Sequence, residues 1–160
     1  MFKGVKGVKG VRGVNAFYNI NLLNMKTSSH KELLIWNKSF ELRIILYKLV
    51  KEFPKIEQYA LGDQMRRCII SIPSNIAEGH SRASNKEFIH FLTISRGSLA
   101  ELLTQIEFAI ELEYLDRKTG DDIIYKYNGI DLMIVNLIKS LRKDSNFFKT
   151  LKSFLFSIIA

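Results

Sequence analysis

An all-α fold, an antiparallel up-down-up-down four-helix bundle, is what this sequence predicts, and three observations carry it. Between Ser28 and Asp144 apolar residues recur every three or four positions in four separate stretches, the spacing of helices that each bury one face. Short turns rich in proline, glycine or serine separate those stretches, so consecutive helices fold back on one another. No segment offers a partner for a strand. At 160 residues the chain fits one domain able to bury a core without disulfides or a structural metal. Three regions are expected: an N-terminal extension (1–27), the bundle (28–144) and an apolar helical tail (145–160).

The extension opens on GVKGVKGVRGV, glycine at every third place and no proline. Collagen is therefore excluded and helix opposed, so residues 1–14 read as disordered. Asn15–Asn24 is apolar enough to dock loosely, without a clean period. The abrupt change in composition at Met25 suggests it as the natural start. The first helix should begin at Ser28 or Ser29, with Glu32 completing a capping box, and run to about Glu52. Leu42, Leu46, Leu49 and Phe53 form one stripe on it, with Trp36, Phe40, Ile44 and Tyr47 beside it. Pro54 ends it.

The second helix starts between Ile56 and Asp63 and carries MRRCIISIPSNIAEG. Pro73 removes a backbone hydrogen bond there and predicts a kink. Ser71, Ser74, Asn75 and Glu78 share a polar strip next to the apolar one. The third helix, about 85–113, is capped by Ser84 with Glu87 three residues on. Gly97 in its middle costs about 1 kcal/mol against alanine, which close approach by a neighbouring helix would justify. The fourth opens near Asp116 or Thr119 and buries Ile123, Tyr127, Ile130, Ile134, Leu137 and Leu141. The tail NFFKTLKSFLFSIIA is too short to span a bilayer and reads as a helical extension with no membrane role.

Lysine and arginine outnumber acids by 24 to 16, which suits an anionic partner. Five of those cations lie in residues 1–26 with no acid, so 27–160 carries 19 against 16 and local clusters matter more than net charge. One surrounds the central helix pair: Arg66, Arg67, Arg82, Lys86 and Arg96. Another lies near the C-terminus: Lys139, Arg142, Lys143, Lys149 and Lys152. Arg66, Arg82 and Lys86, with Lys139, Arg142 and Lys143, are the candidate phosphate contacts. Arg67 and Arg96 are expected to pair with Glu78 and Glu101, since guanidinium and carboxylate meet at two points.

Cys68 is the single cysteine and points to a reducing, cytoplasmic setting. Glu87 and His90 have the ExxH spacing of a di-iron ligand pair, but a second such pair is missing from the sequence. Ser95 and Ser98 near His90 do not complete a nucleophile, base and orienting acid. GVKGVKG lacks the ending of a phosphate loop. No metal, no cofactor and no catalytic activity are therefore expected.

SIPSNIAEG (Ser71–Gly79), flanked by QMRR and by EFIHFLTISRGSLAE, resembles the four-helix-bundle proteins encoded within intervening sequences of bacterial 23S ribosomal RNA genes. That family includes the accessory variability proteins of diversity-generating retroelements. The pattern covers about 33–141. It implies a bundle assembling into a ring, a homopentamer, with a basic surface for RNA or DNA, and a reverse transcriptase as partner in the retroelement branch. The residues carrying the resemblance are Arg66, Arg67, Ser71, Pro73, Ser74, Asn75, Glu78, Gly79, Arg82, Arg96, Gly97, Ser98 and Glu101. Two functions are thereby expected: an oligomeric nucleic-acid-binding accessory bundle, or a protein-interaction bundle without nucleic-acid binding of its own.

Overall fold

The computed structural model describes residues 28–159. The glycine repeat, Asn15–Asn24 and Met25 lie outside the described residues. A single 3-10 turn at His30–Glu32 leads into α1 (Leu34–Val50), short α2 (Lys55–Tyr59), α3 (Leu61–Ser81), α4 (Asn85–Glu111) and α5 (Arg117–Ile159). Helices α1, α3, α4 and α5 form the bundle, and no strand occurs among the described residues. Each long helix packs on the next, and α1 also meets α5, which closes the circle.

The start of α1 differs from the expected capping box. Ser29 Oγ accepts from the Lys31 N–H at 3.2 Å, while Glu32 takes the Ser28 hydroxyl at 2.9 Å instead of a backbone donor. The cap therefore stabilises one 3-10 turn, and extended Leu33 separates it from the α-helix. Ser84 behaves as expected: its oxygen accepts from Glu87 N at 3.2 Å and its hydroxyl donates to the Glu87 carboxylate at 2.9 Å. Asp116 Oδ1 accepts from Thr119 N at 2.9 Å and so caps α5. At the other end of α4, Glu113 takes the left-handed conformation (φ 59°), and the amides of Tyr114 and Leu115 both donate to the Ala109 carbonyl.

The core is a column of side chains with almost no exposed surface. Leu46 of α1, Met65, Ile69 and Ile76 of α3, Leu92, Leu99, Leu102 and Ile106 of α4, and Ile123, Ile134 and Leu141 of α5 all belong to it. The second stripe of α1 stays outside this column. Phe40 and Ile44 are exposed, whereas Trp36 and Tyr47 pack against the core only in part. α3 runs unbroken through Pro73, which is buried.

Glycine placement corrects one expectation. Among the described residues a Cβ on Gly97 would meet nothing within 4 Å, so none of the described helices approaches closely there. Close approach occurs at Gly79 instead, where a Cβ would lie 2.7 Å from Phe91 Cβ and 3.3 Å from the Phe88 carbonyl oxygen. That glycine lets the last turn of α3 cross the first turns of α4.

Lengths are unequal. The four long helices contain 17, 21, 27 and 43 residues. At 1.5 Å per residue α5 extends about 64 Å, against about 40 Å for α4. The side-chain amide of Asn85, first residue of α4, donates from Nδ2 to the Leu141 carbonyl at 3.4 Å. Beyond that point α5 continues for another 18 residues, to Ile159.

Candidate nucleic-acid interface

The α3–α4 seam holds most of the motif residues, and it is a polar ladder. The Ser71 and Ser98 hydroxyls lie 2.8 Å apart. The Asn75 amide donates to both the Ser71 carbonyl and its Oγ, at 2.8 and 2.9 Å. Buried Ser95 donates to the Ile72 carbonyl at 3.0 Å, the residue before Pro73. Each hydroxyl or amide here joins one helix to the other or to its own backbone, which fixes their register. Ser74 stays exposed.

One turn further, the Cys68 thiol donates to Glu101 at 3.2 Å, and Gln105 donates to the sulfur at 3.5 Å. Burial, then the Glu101 hydrogen bond, push this thiol up to about 11 from 9.0. The sulfur therefore stays protonated at neutral pH, and alkylation by iodoacetamide at pH 8 is expected to be much slower in the folded protein than in urea. Because the folded state holds this proton more tightly, stability is full below pH 9 and falls as pH rises toward 11. A urea midpoint unchanged across that range would contradict this.

Ion pairs differ from those expected. Arg67 faces Asp63 at 3.9 Å, within its own helix. Arg96 makes a two-point contact with Asp131 of α5, 2.6 Å from Nε and 3.1 Å from Nη2. Glu78 is paired with Arg82, and Glu101 is engaged by the thiol. Sequence spacing along one helix had no means of identifying Asp131. Its only signal is an acid directly after Ile130, at the edge of the apolar stripe of α5.

Two of the six candidate phosphate contacts are already engaged. Arg66 is half-buried and donates to the Gln58 carbonyl at 2.7 Å, satisfying the end of α2 rather than facing a ligand. Arg82 is neutralised by Glu78, and its guanidinium lies 5.1 Å from the Phe91 ring centre. The other four, Lys86, Lys139, Arg142 and Lys143, are exposed and make no ion pair among the described residues. The Asn85–Leu141 hydrogen bond places Lys86 and Arg142, each one residue beyond it, at the same end of the bundle.

Charge divides along the bundle axis. At the Asn85–Leu141 end stand Arg82, Lys86, Lys139, Arg142 and Lys143 against Glu78, Glu87 and Asp144. At the opposite end nine carboxylates, Glu52, Glu57, Asp63, Glu107, Glu111, Glu113, Asp116, Asp121 and Asp122, stand among six cations, Lys51, Lys55, Arg67, Arg117, Lys118 and Lys126, leaving a small acidic excess. Arg117 bridges two of them, Glu107 and Glu111.

Between α1 and α5 lies a mostly apolar groove of about 380 Å³, lined by Leu42 and Ile45 on one side and Tyr125, Gly129, Leu132 and Met133 on the other. No cluster of three or more metal-ligating side chains occurs among the described residues. No helix among them is long and apolar enough to cross a membrane.

The fold and its polar seam define an all-helical four-helix bundle with one basic end. Residues 31–136 match the family model for the 23S rRNA-intervening sequence protein, and the chain belongs to that family. It is also similar to a crystal structure from Bacteroides thetaiotaomicron VPI-5482, described as a protein of unknown function from the S23 ribosomal protein family. The two are 25% identical with a TM-score of 0.61, over 66% of this chain and 99% of that one. No curated protein matches.

Proposed function

We propose that the chain is a non-catalytic, self-associating accessory bundle of the cytoplasm that binds RNA or DNA through its basic end. The observation carrying this is the set of four exposed cations that make no ion pair among the described residues, Lys86, Lys139, Arg142 and Lys143, at the end marked by the Asn85–Leu141 contact. Family membership supports the nucleic acid as RNA, and the resemblance supports a ring of five 18.5 kDa chains. Four phosphate contacts on a single strand give a log–log salt slope of about −3. Titrating single-stranded RNA binding between about 50 and 200 mM salt tests this, and a slope near zero refutes it.

A second reading is a protein-interaction bundle, such as a reverse-transcriptase partner of the accessory variability kind. The mostly apolar groove between α1 and α5, with exposed Tyr125 and Leu132 in its lining, favours it, since a contiguous apolar surface suits a protein contact. Under that reading binding is to a protein and nearly indifferent to salt.

A further inference from the structure

Gly129 sits in the middle of α5 with no packing of its own chain to explain it. Among the described residues a Cβ there would meet nothing within 4 Å, and glycine is a poorer helix former than any residue but proline. It helps to line the groove between α1 and α5. Tyr125, four residues before it, and Leu132, three after, line the same groove and are 76% and 52% exposed. Two large side chains thus project from a surface that has an unfilled hollow beside them.

Charge follows the same symmetry. Steps of four, seven and seven residues place Asp121, Tyr125, Leu132 and Lys139 along one face of α5, given 3.6 residues per turn. Asp121 and Lys139 are exposed, and neither makes an ion pair among the described residues. Other charges near the groove are already matched, Lys38 with Glu41 and Asp122 with Lys126. The face therefore carries a free acid at one end, a free base at the other and the hollow between them. Turned end over end, it is complementary to itself.

We propose that a second copy of this chain packs its α5 antiparallel on this face, about a two-fold axis near Gly129. Tyr125 of each copy enters the groove of the other beside Met133, and the missing Cβ lets the two helices come close. Asp121 of each copy meets Lys139 of the other, about 14 Å from the axis. Complementary charge fixes direction and register more than it adds strength, and a face that matches its own reverse selects a second copy over an unrelated protein. Lys118 and Lys143, a turn further out, bring like charges together and so confine the contact to the stretch between them. An isologous contact closes on itself, so it pairs two chains or two rings and does not build the ring. The inference rests on the self-association in the proposed function and not on its nucleic-acid binding. Where both hold, Lys139 faces the second copy and Lys86, Arg142 and Lys143 face the anion.

The test is sedimentation velocity of the full chain over a micromolar concentration series, beside the full-length variants Gly129→Gln, Asp121→Lys and Lys139→Asp. Each variant is expected to weaken pairing about tenfold and to halve the average mass. The urea midpoint of Gly129→Gln is expected to stay level with the parent's or above it, since the new side chain enters open space. Mixing Asp121→Lys with Lys139→Asp is expected to restore the parent's mass, because in an antiparallel pair of those two variants every charge again meets its opposite. A mass indifferent to all three substitutions, or a mixture no heavier than its components, overturns the contact while leaving the salt-dependent binding of RNA untouched. A parent that is monomeric throughout overturns it together with the self-association it rests on, and leaves the groove to a different protein.

Discussion

Alanine at Gly79 is expected to destabilise the bundle by about 1–3 kcal/mol, the cost of adding a methyl group where packing leaves no room. The new Cβ would stand 2.7 Å from Phe91 Cβ, 2.8 Å from Phe88 Cδ2 and 3.3 Å from the Phe88 carbonyl. The Phe88 ring can swing aside. Phe91 Cβ and the carbonyl cannot, so the two helices must separate at their crossing. Better helix propensity returns at most about 1 kcal/mol. Gly97→Ala is expected to show the opposite sign, a gain of about 0.5–1 kcal/mol, since no atom lies within 4 Å of the added carbon. Urea midpoints of the two variants measure both. A Gly79→Ala protein as stable as the parent would mean that α3 and α4 separate at their crossing without cost.

Replacing Lys86, Arg142 and Lys143 together by alanine is expected to lower RNA affinity about 100-fold near 0.1 M salt and to flatten the salt slope by about 2. All three side chains are exposed and free of ion pairs among the described residues. Their removal therefore leaves the core intact, and thermal stability should stay within about 0.5 kcal/mol of the parent. Substituting Arg66 is expected to behave differently. It breaks the bond to Gln58 and costs stability at the α2–α3 joint while leaving the salt slope unchanged. Filter binding across a salt series, beside a thermal melt, separates the two. A triple variant that binds as the parent does removes the basic end from consideration.

Much of this bundle was legible in the sequence because helix periodicity is local. The stripes Leu42–Phe53, Met65–Ile76, Phe88–Ile106 and Ile123–Leu141 needed only three-and-four spacing to be seen, and they entered the core except Leu49, Phe88 and Phe91, which stay partly exposed. Ser84 was visible as a cap for the same reason. What escaped depended on contacts between helices. Arg96 finds Asp131 across 35 positions, and Cys68 finds Glu101 across 33. Gly97 and Gly79 look alike as mid-sequence glycines, but only the crossing of α3 and α4 distinguishes them. The candidate phosphate contacts divided likewise: Arg66 was claimed by a carbonyl of α2, which charge counting along the chain does not register.

If the proposed function holds, the difference in charge between the two ends of the bundle sets how a long anionic strand would be met. On the proposed function, the excess of carboxylates at one pole and the cations free of ion pairs among the described residues at the other would let a polyanion exert a torque as well as a pull. The protein would then arrive already turned, presenting Lys86 and Arg142 first and holding the more acidic pole away. Added salt weakens this steering along with the final grip, so the association rate should slow at the same ionic strengths at which affinity declines.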